Sequence, residues 1–216
     1  MMFVSSDSLQ DASRRTSISN RQGKWLMALK TLPVAGIGLF CALPIAAVNA
    51  QIIPDRSLGA ESSRINPNVP IKDLPSTEIN GGAIRGTNLF HSFQQFNVDP
   101  GRGVYFANPD NITNIFSRVT GSNVPNIFGR LGVLGTANLF LLNPNGIIFG
   151  PNATLDLGGS FFSTTANSIK FSDGREFSAS NPEGAPLLTV NMPTGLDFRA
   201  GNRGSILNQS RVLEPI

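Results

Sequence analysis

The chain has 216 residues, with 17 Lys and Arg against 14 Asp and Glu, and a single cysteine. Its first 50 residues hold five of the basic and two of the acidic side chains, so the remainder carries 17 − 5 = 12 positive and 14 − 2 = 12 negative groups. A formally neutral body excludes nucleic-acid binding driven by net charge, and a body without cysteine excludes disulfides and thiolate–metal sites.

Residues 1–30 are polar and contain Arg14, Arg15, Arg21, Lys24 and Lys30. The uncharged run VAGIGLFCALPIAAV follows at 34–48, closing on Val48-Asn49-Ala50 with small residues where a signal peptidase reads. This is the three-part pattern of a secretory signal, and it predicts a signal peptide over 1–50 with cleavage between Ala50 and Gln51. A spanning helix needs about 20 apolar residues; this core is shorter and broken by Pro44. Arg14-Arg15 are followed by Thr16 and Ser17 rather than apolar residues, which favours the general export machinery over the twin-arginine route. Cys41 follows Phe40, not the small residue that precedes a lipidated cysteine, so it is expected to leave with the leader. No membrane span is expected in the mature chain.

From 51 to 87 the sequence is rich in Pro and Gly, with turn signals at Asn66-Pro67-Asn68 and Asn80-Gly81-Gly82. Short strands wrapped by loops are expected there. In NLFHSFQQFNV, 88–98, Phe90, Phe93 and Phe96 recur every third residue, a spacing that fits neither strand nor helix. Asp99-Pro100-Gly101 then turns into a strand over 103–107. Ile112, Ile115, Phe116 and Val119 match a helical face, with Asp110 as N-cap and Gly121 as stop. The surrounding short strands and turns argue for strand instead, and strand is the expectation for 112–119.

After 130, apolar runs of four to six residues alternate with Gly, Asn and Pro. Leu155, Leu157, Ile169 and Phe171 alternate with polar neighbours, as in half-buried strands. No helix-length segment separates the runs, which excludes a helix-crossover parallel sheet and leaves a sandwich, a barrel or a β-solenoid. The stretch LLNPNGIIFG, 141–150, bears on that choice. Its turn, Asn143-Pro144-Asn145-Gly146, has wholly apolar flanks, so the strands on either side are expected to be buried on both faces. A terminal solenoid coil beneath a cap offers such a place. The stacked core is expected to include Leu139, Leu141, Ile147, Phe149, Leu155, Leu157, Ile169 and Phe171.

The segments NLFHSFQQFNV, VTGSNVPNIFGRLGV, NLFLLNPNGIIFGPNATLDLGGSFFSTTA and MPTGLDF resemble, in order and spacing, the two-partner secretion (TPS) or haemagglutination-activity domain of filamentous-haemagglutinin-like exoproteins. The resemblance covers residues 51–216. It implies an all-β, right-handed parallel β-helix (β-solenoid) with an N-terminal cap. It implies a secreted, adhesin-like exoprotein whose partner is a cognate outer-membrane TpsB-type transporter with periplasmic domains. The domain would act as an address in the periplasm and start β-helix folding at the cell surface. Asn143, Pro144, Asn145, Gly146 and Ile147 match the family's secretion motif. The family's second Asn-Pro-Asn is not clearly matched: Asn66-Pro67-Asn68 lies early in the chain, and Asn108-Pro109-Asp110 departs from it. At about 20–25 residues a coil, some seven coils are expected, cap included, in a truncated or isolated domain without its cargo.

Two other functions compete. An adhesin-type module would bind carbohydrate or a receptor directly. A β-helix polysaccharide-active enzyme would need clustered carboxylates, but Asp99, Asp110, Asp156, Asp173 and Asp197 are scattered and mostly flank turns. His91 sits in an aromatic segment as a packed residue, and Ser163-Thr164-Thr165 has hydroxyls without an activating group. No catalytic, cofactor or metal site is expected. Asn111, Asn152 and Asn208 head glycosylation sequons by chance of an Asn- and Thr-rich composition.

Overall fold

In the computed structural model the described residues are 52–182, 188–201 and 204–210. The expected signal segment and the Ala50–Gln51 junction lie outside them. The chain first builds a cap from β1 (Ile52–Pro54), a single 3-10 turn, β2 (Ser63–Ile71), β3 (Leu74–Gly81) and β4 (Ala83–Arg85). β5 (Asn88–Phe96) follows. Coils then succeed one another: β6 (Gly103–Ala107), β7 (Asn114–Val119) and β8 (Asn126–Ile127); β9 (Arg130–Leu134), β10 (Asn138–Leu142) and β11 (Ile147–Phe149); then β12 (Thr154–Asp156) and β13 (Phe161–Thr164). A detour contributes β14 (Ser168–Phe171), β15 (Glu176–Ser178) and β16 (Pro193–Asp197) before β17 (Ile206–Asn208) returns to the stack.

These strands make a parallel β-solenoid of about three turns. One face stacks β3, β6, β9 and β12, with β2 antiparallel outside β3. The second stacks β5, β7, β10 and β13, and antiparallel β1 and β4 pair along the outer edge of β5. The third stacks β8, β11 and β17. Leu89, Ile115, Leu139 and Phe161 lie over one another, so successive coils take 115 − 89 = 26, 139 − 115 = 24 and 161 − 139 = 22 residues. The expectation of some seven coils is therefore corrected. The cap strands and the 165–205 detour take up the chain that would have formed the others.

Inward positions form one continuous core that includes Leu89, Phe106, Ile115, Leu131, Leu139 and Ile147. Each such side chain contributes about 1.5–3 kcal/mol by leaving water. The strand expected at 112–119 is β7: Ile115 and Val119 point inward, while Phe116 and Arg118 point out. The three-residue spacing of Phe90, Phe93 and Phe96 has a local cause. Pro54 pairs with Phe93 and Ile53 with Gln95, so Gln94 is an extra residue in a bulge. Phe90 faces outward and the other two inward.

Of the two apolar flanks of the Asn143–Gly146 turn only β10 has both faces covered, and not beneath an end cap; on β11 Ile148 stays partly exposed. β10 lies between β7 and β13, and its cover is lateral. β14, β15 and β16 form a small antiparallel sheet against the outer face. There Phe90, Phe116, Leu142, Ile169, Phe171 and Phe177 make a second apolar cluster. Ile169 and Phe171 are thus buried, as expected, but outside the stacked core. Leu155 departs further. It aligns with buried Leu131 and faces the core, yet remains 49% exposed, with no strand covering it among the described residues.

Candidate functional site

Asn143 opens the corner between β10 and β11 and is fully buried. Its backbone N–H donates to the Thr164 carbonyl of the next coil (3.1 Å). Its Oδ1 accepts from the Asn145 N–H (2.7 Å), and its Nδ2 donates to the Asn123 carbonyl of the preceding coil (3.0 Å). A buried amide with both ends bonded is a stabilising group rather than a liability. Asn145 is exposed, and its Nδ2 donates to the Gly121 carbonyl (2.9 Å). The Gly146 N–H donates to the Asn143 carbonyl (3.2 Å), closing a four-residue turn.

Gly146 has φ +122°, and a Cβ there would lie 2.8 Å from the Ser205 carbonyl oxygen. Only glycine suits both the conformation and the space. Ile147 N–H donates to that same Ser205 oxygen (3.0 Å), and Ile148 N–H donates to the Pro125 carbonyl (2.9 Å). The turn is thus the middle member of a column of corners, gripping 121–125 on one side and 204–205 on the other. Pro144 sets the first central φ and is partly buried.

Asn108 uses the same device in another column: its Oδ1 accepts from the Ala137 N–H (2.9 Å) and its Nδ2 donates to the Ile112 carbonyl (3.0 Å). Asn66-Pro67-Asn68 is different. It forms an exposed bulge in β2, where Asn68 has φ +60° and accepts from Arg102 Nη2 (2.9 Å).

The TPS secretion domain matches residues 50–215. The chain belongs to the TPS secretion domain family. A relative, the heme/hemopexin-binding protein of Haemophilus influenzae, is 25% identical over an alignment of 130 positions that covers 56% of this chain. The aligned part spans 14% of that relative's length. The TPS domain is the secretion domain of a two-partner secretion exoprotein. No helix among the described residues is long and apolar enough to cross a membrane.

The other residues singled out in the sequence of this TPS domain do not converge. Asp99 and Asp110 lie at two corners, Asp156 on β12, Asp173 in the β14–β15 turn and Asp197 on β16. Asp156 is engaged by Lys72 Nζ (2.7 Å) and the Tyr105 hydroxyl (2.8 Å), and the Lys72 bond, which outweighs burial, holds its carboxyl below the ordinary range. Asp197 faces Lys170 and Arg199 at the surface. Thr164 Oγ1 accepts from the Ala166 N–H (3.1 Å), a local turn. Among the described residues no cluster of His, Cys, Asp and Glu could hold a metal.

His91 is wholly buried, packed against Phe93 and Phe106, with Nδ1 2.9 Å from Ser63 Oγ. Burial pushes its pKa down to about 3, so it is neutral in the folded domain.

Two arrangements escaped the sequence reading. Arg118, also buried, lies under the side sheet. Its Nε donates to Ser92 Oγ (2.8 Å), Nη1 to the Ser178 carbonyl (2.7 Å), and Nη2 to Ser57 Oγ and the Pro182 carbonyl (both 2.8 Å). Desolvation lowers its pKa to about 10, which still leaves it charged at neutral pH. Asp55 answers it through the shared serines. Burial pushes the Asp55 carboxyl up, but hydrogen bonds from Ser57, Ser92 and Thr120 outweigh it and leave it below the ordinary value. One buried network therefore ties cap, coil and side sheet together. The second arrangement is a ladder: Asn114 Nδ2 donates to Asn88 Oδ1 (3.2 Å) and Asn138 Nδ2 to Asn114 Oδ1 (3.0 Å). Beside it Phe90, Phe116, Phe140 and Phe162 stack with ring centroids 5.1, 4.6 and 4.8 Å apart.

Proposed function

We propose that residues 51–216 are the address of a two-partner secretion exoprotein, read by its cognate transporter in the periplasm, and that their folding starts the β-helix at the cell surface. Residues 1–50 are then the signal peptide, with the mature chain beginning at Gln51. The family match begins at residue 50, beside the expected cleavage point, which supports that boundary. Sequencing the N-terminus of exported protein tests it, and a mature chain retaining Cys41 would overturn it.

The observation that carries the folding role is the capped start of the stack. Antiparallel β1, β2 and β4 close its N-terminal end, and the coils after it pair in parallel, each on the one before. A capped start followed by coils built on local contacts suits a chain that emerges from a pore and folds coil by coil. Asn143, Asn145 and Gly146 serve this reading through folding, since their polar groups are directed at neighbouring corners of the same chain. A secretion assay with the cognate transporter co-expressed tests the whole. Export of the wild type should require the transporter. Export that is indifferent to the transporter would contradict the address.

A haem site ligated by imidazole is disfavoured in this domain, whatever the relative's name. The single histidine, His91, is enclosed in the core, out of reach of a haem iron. Adding haem to the purified domain should leave its absorbance spectrum that of free haem; a shifted Soret band would reopen the binding-module reading.

A further inference from the structure

The corner Asn143-Pro144-Asn145-Gly146 holds two asparagines of opposite chemical character. A backbone nitrogen can attack the side-chain amide of the asparagine that precedes it. Asn143 is protected from this, because Pro144 has no N–H to give up. Asn145 is followed by Gly146, whose missing Cβ leaves its nitrogen unshielded and its backbone free to reach the attacking geometry. The chain has one other Asn-Gly pair, Asn80-Gly81.

The fold restrains each group that this reaction uses at Asn145. Gly146 is buried, and its N–H donates to the Asn143 carbonyl (3.2 Å). The amide nitrogen that would leave, Asn145 Nδ2, donates to the Gly121 carbonyl (2.9 Å). The Asn145 N–H donates to Asn143 Oδ1 (2.7 Å). Asn145 is exposed, yet it cannot turn its Cγ onto the Gly146 nitrogen without opening the corner.

We infer that Asn145 is a site of spontaneous deamidation, reactive in the unfolded chain and closed by folding of the corner. The Gly146 nitrogen attacks Asn145 Cγ. A C–N bond forms, the Cγ–Nδ2 bond breaks, and ammonia leaves with the proton that Gly146 gives up. Solvent water then opens the five-membered imide at either carbonyl, leaving aspartate or isoaspartate. Neither product suits the corner. Aspartate has no donor for the Gly121 carbonyl and sets a carboxylate against it. Isoaspartate inserts a main-chain carbon between residue 145 Cα and the Gly146 nitrogen, which displaces the Ile147 N–H from the Ser205 carbonyl (3.0 Å). This consequence rests on the address reading and deepens it: the site limits how long a chain can wait unfolded for its transporter and still fold.

The test incubates the purified mature domain at neutral pH, folded or in urea, and follows residues 80 and 145 by peptide mass spectrometry. In urea the two asparagines should react at similar rates. In the folded domain Asn145 should react at least about tenfold more slowly than in urea, because the reaction waits on local opening. Asn143→Ala removes the restraint on the Asn145 N–H. With its circular dichroism native, this variant should speed the reaction at residue 145 and not at residue 80. When urea-aged protein is refolded and its native fraction isolated by size exclusion, chains with isoaspartate at position 145 should be depleted from that fraction. Equal rates at Asn145 in folded and unfolded protein would overturn the inference. So would equal acceleration of both sites in natively folded Asn143→Ala, or isoaspartate at 145 carried undiminished into the native fraction. No transporter enters these measurements, so a failed address and a failed deamidation site remain distinguishable.

Discussion

The guanidinium carbon of Arg118 lies 4.5 Å from the ring centroid of Phe177, joining the first full coil to a side sheet 177 − 118 = 59 residues further along. With the carbonyls of Ser178 and Pro182 on the same guanidinium, Arg118 is the clasp that holds the side sheet over the outer face. Arg118→Met removes the charge and leaves Ser57, Ser92 and Asp55 without their shared partner. Breaking a buried charged network in this way costs about 3–5 kcal/mol. Chemical denaturation should show that loss, with hydrogen exchange rising first in β14 and β15.

His91 gives the domain an acid limit. Its folded pKa of about 3 lies below the ordinary 6.5, so between those values the unfolded chain binds a proton that the folded one does not. Stability from this group is complete above pH 6.5 and falls as pH drops towards 3, by about 1.4 kcal/mol per unit. The lowered carboxyls of Asp55 and Asp156 act only near and below their ordinary values, so the interval from about pH 6 to 5 isolates the histidine. Denaturation at stepped pH should show this slope in the wild type and its loss in His91→Gln.

Asn114 is the middle rung of the amide ladder. Asn114→Leu keeps the number and branching of the side-chain heavy atoms but leaves Asn88 Oδ1 and Asn138 Nδ2 without the bonds they make to it. The cost should be about 1–3 kcal/mol. Thermal melting checks it, and an unchanged midpoint would show that the ladder does not stabilise the stack.

Much of this was legible in the sequence, and the misses have definite causes. The β6 strand was readable because Val104 and Phe106 alternate with Tyr105 between clear turns. The 112–119 segment looked helical because Ile112, a corner residue just outside β7, completed a false period with Ile115 and Phe116. Leu155 alternates properly, but exposure at an unpaired last coil is a property of the stack and not of the strand. The Asn-apolar-Phe triplets at 88, 114 and 138 were an available signal, hidden by coil lengths that differ. Arg118 offered none: its partners Ser57 and Ser178 approach only after the cap and side sheet have folded. The corner motif Asn143–Gly146 was visible as a turn, whereas its grip on Gly121, Asn123 and Ser205 depended on three coils being stacked.

Gly146→Val tests the corner's backbone. Positive φ disfavours a β-branched residue, and its Cβ would press on the Ser205 carbonyl at 2.8 Å. A loss of about 2–4 kcal/mol is expected, larger than that from Asn145→Ala, whose side chain makes one exposed bond. Urea denaturation of the two variants side by side checks the order.

The most direct test of the central claim pairs secretion with stability for Asn143→Ala. This change removes the bonds to Asn123 and Asn145 while leaving the surface almost untouched, because Asn143 is buried. With the cognate transporter co-expressed, the account predicts less secreted protein together with a lower unfolding midpoint of the purified domain. Lost secretion at unchanged stability, or normal secretion despite the destabilisation, would contradict a corner that serves export through folding.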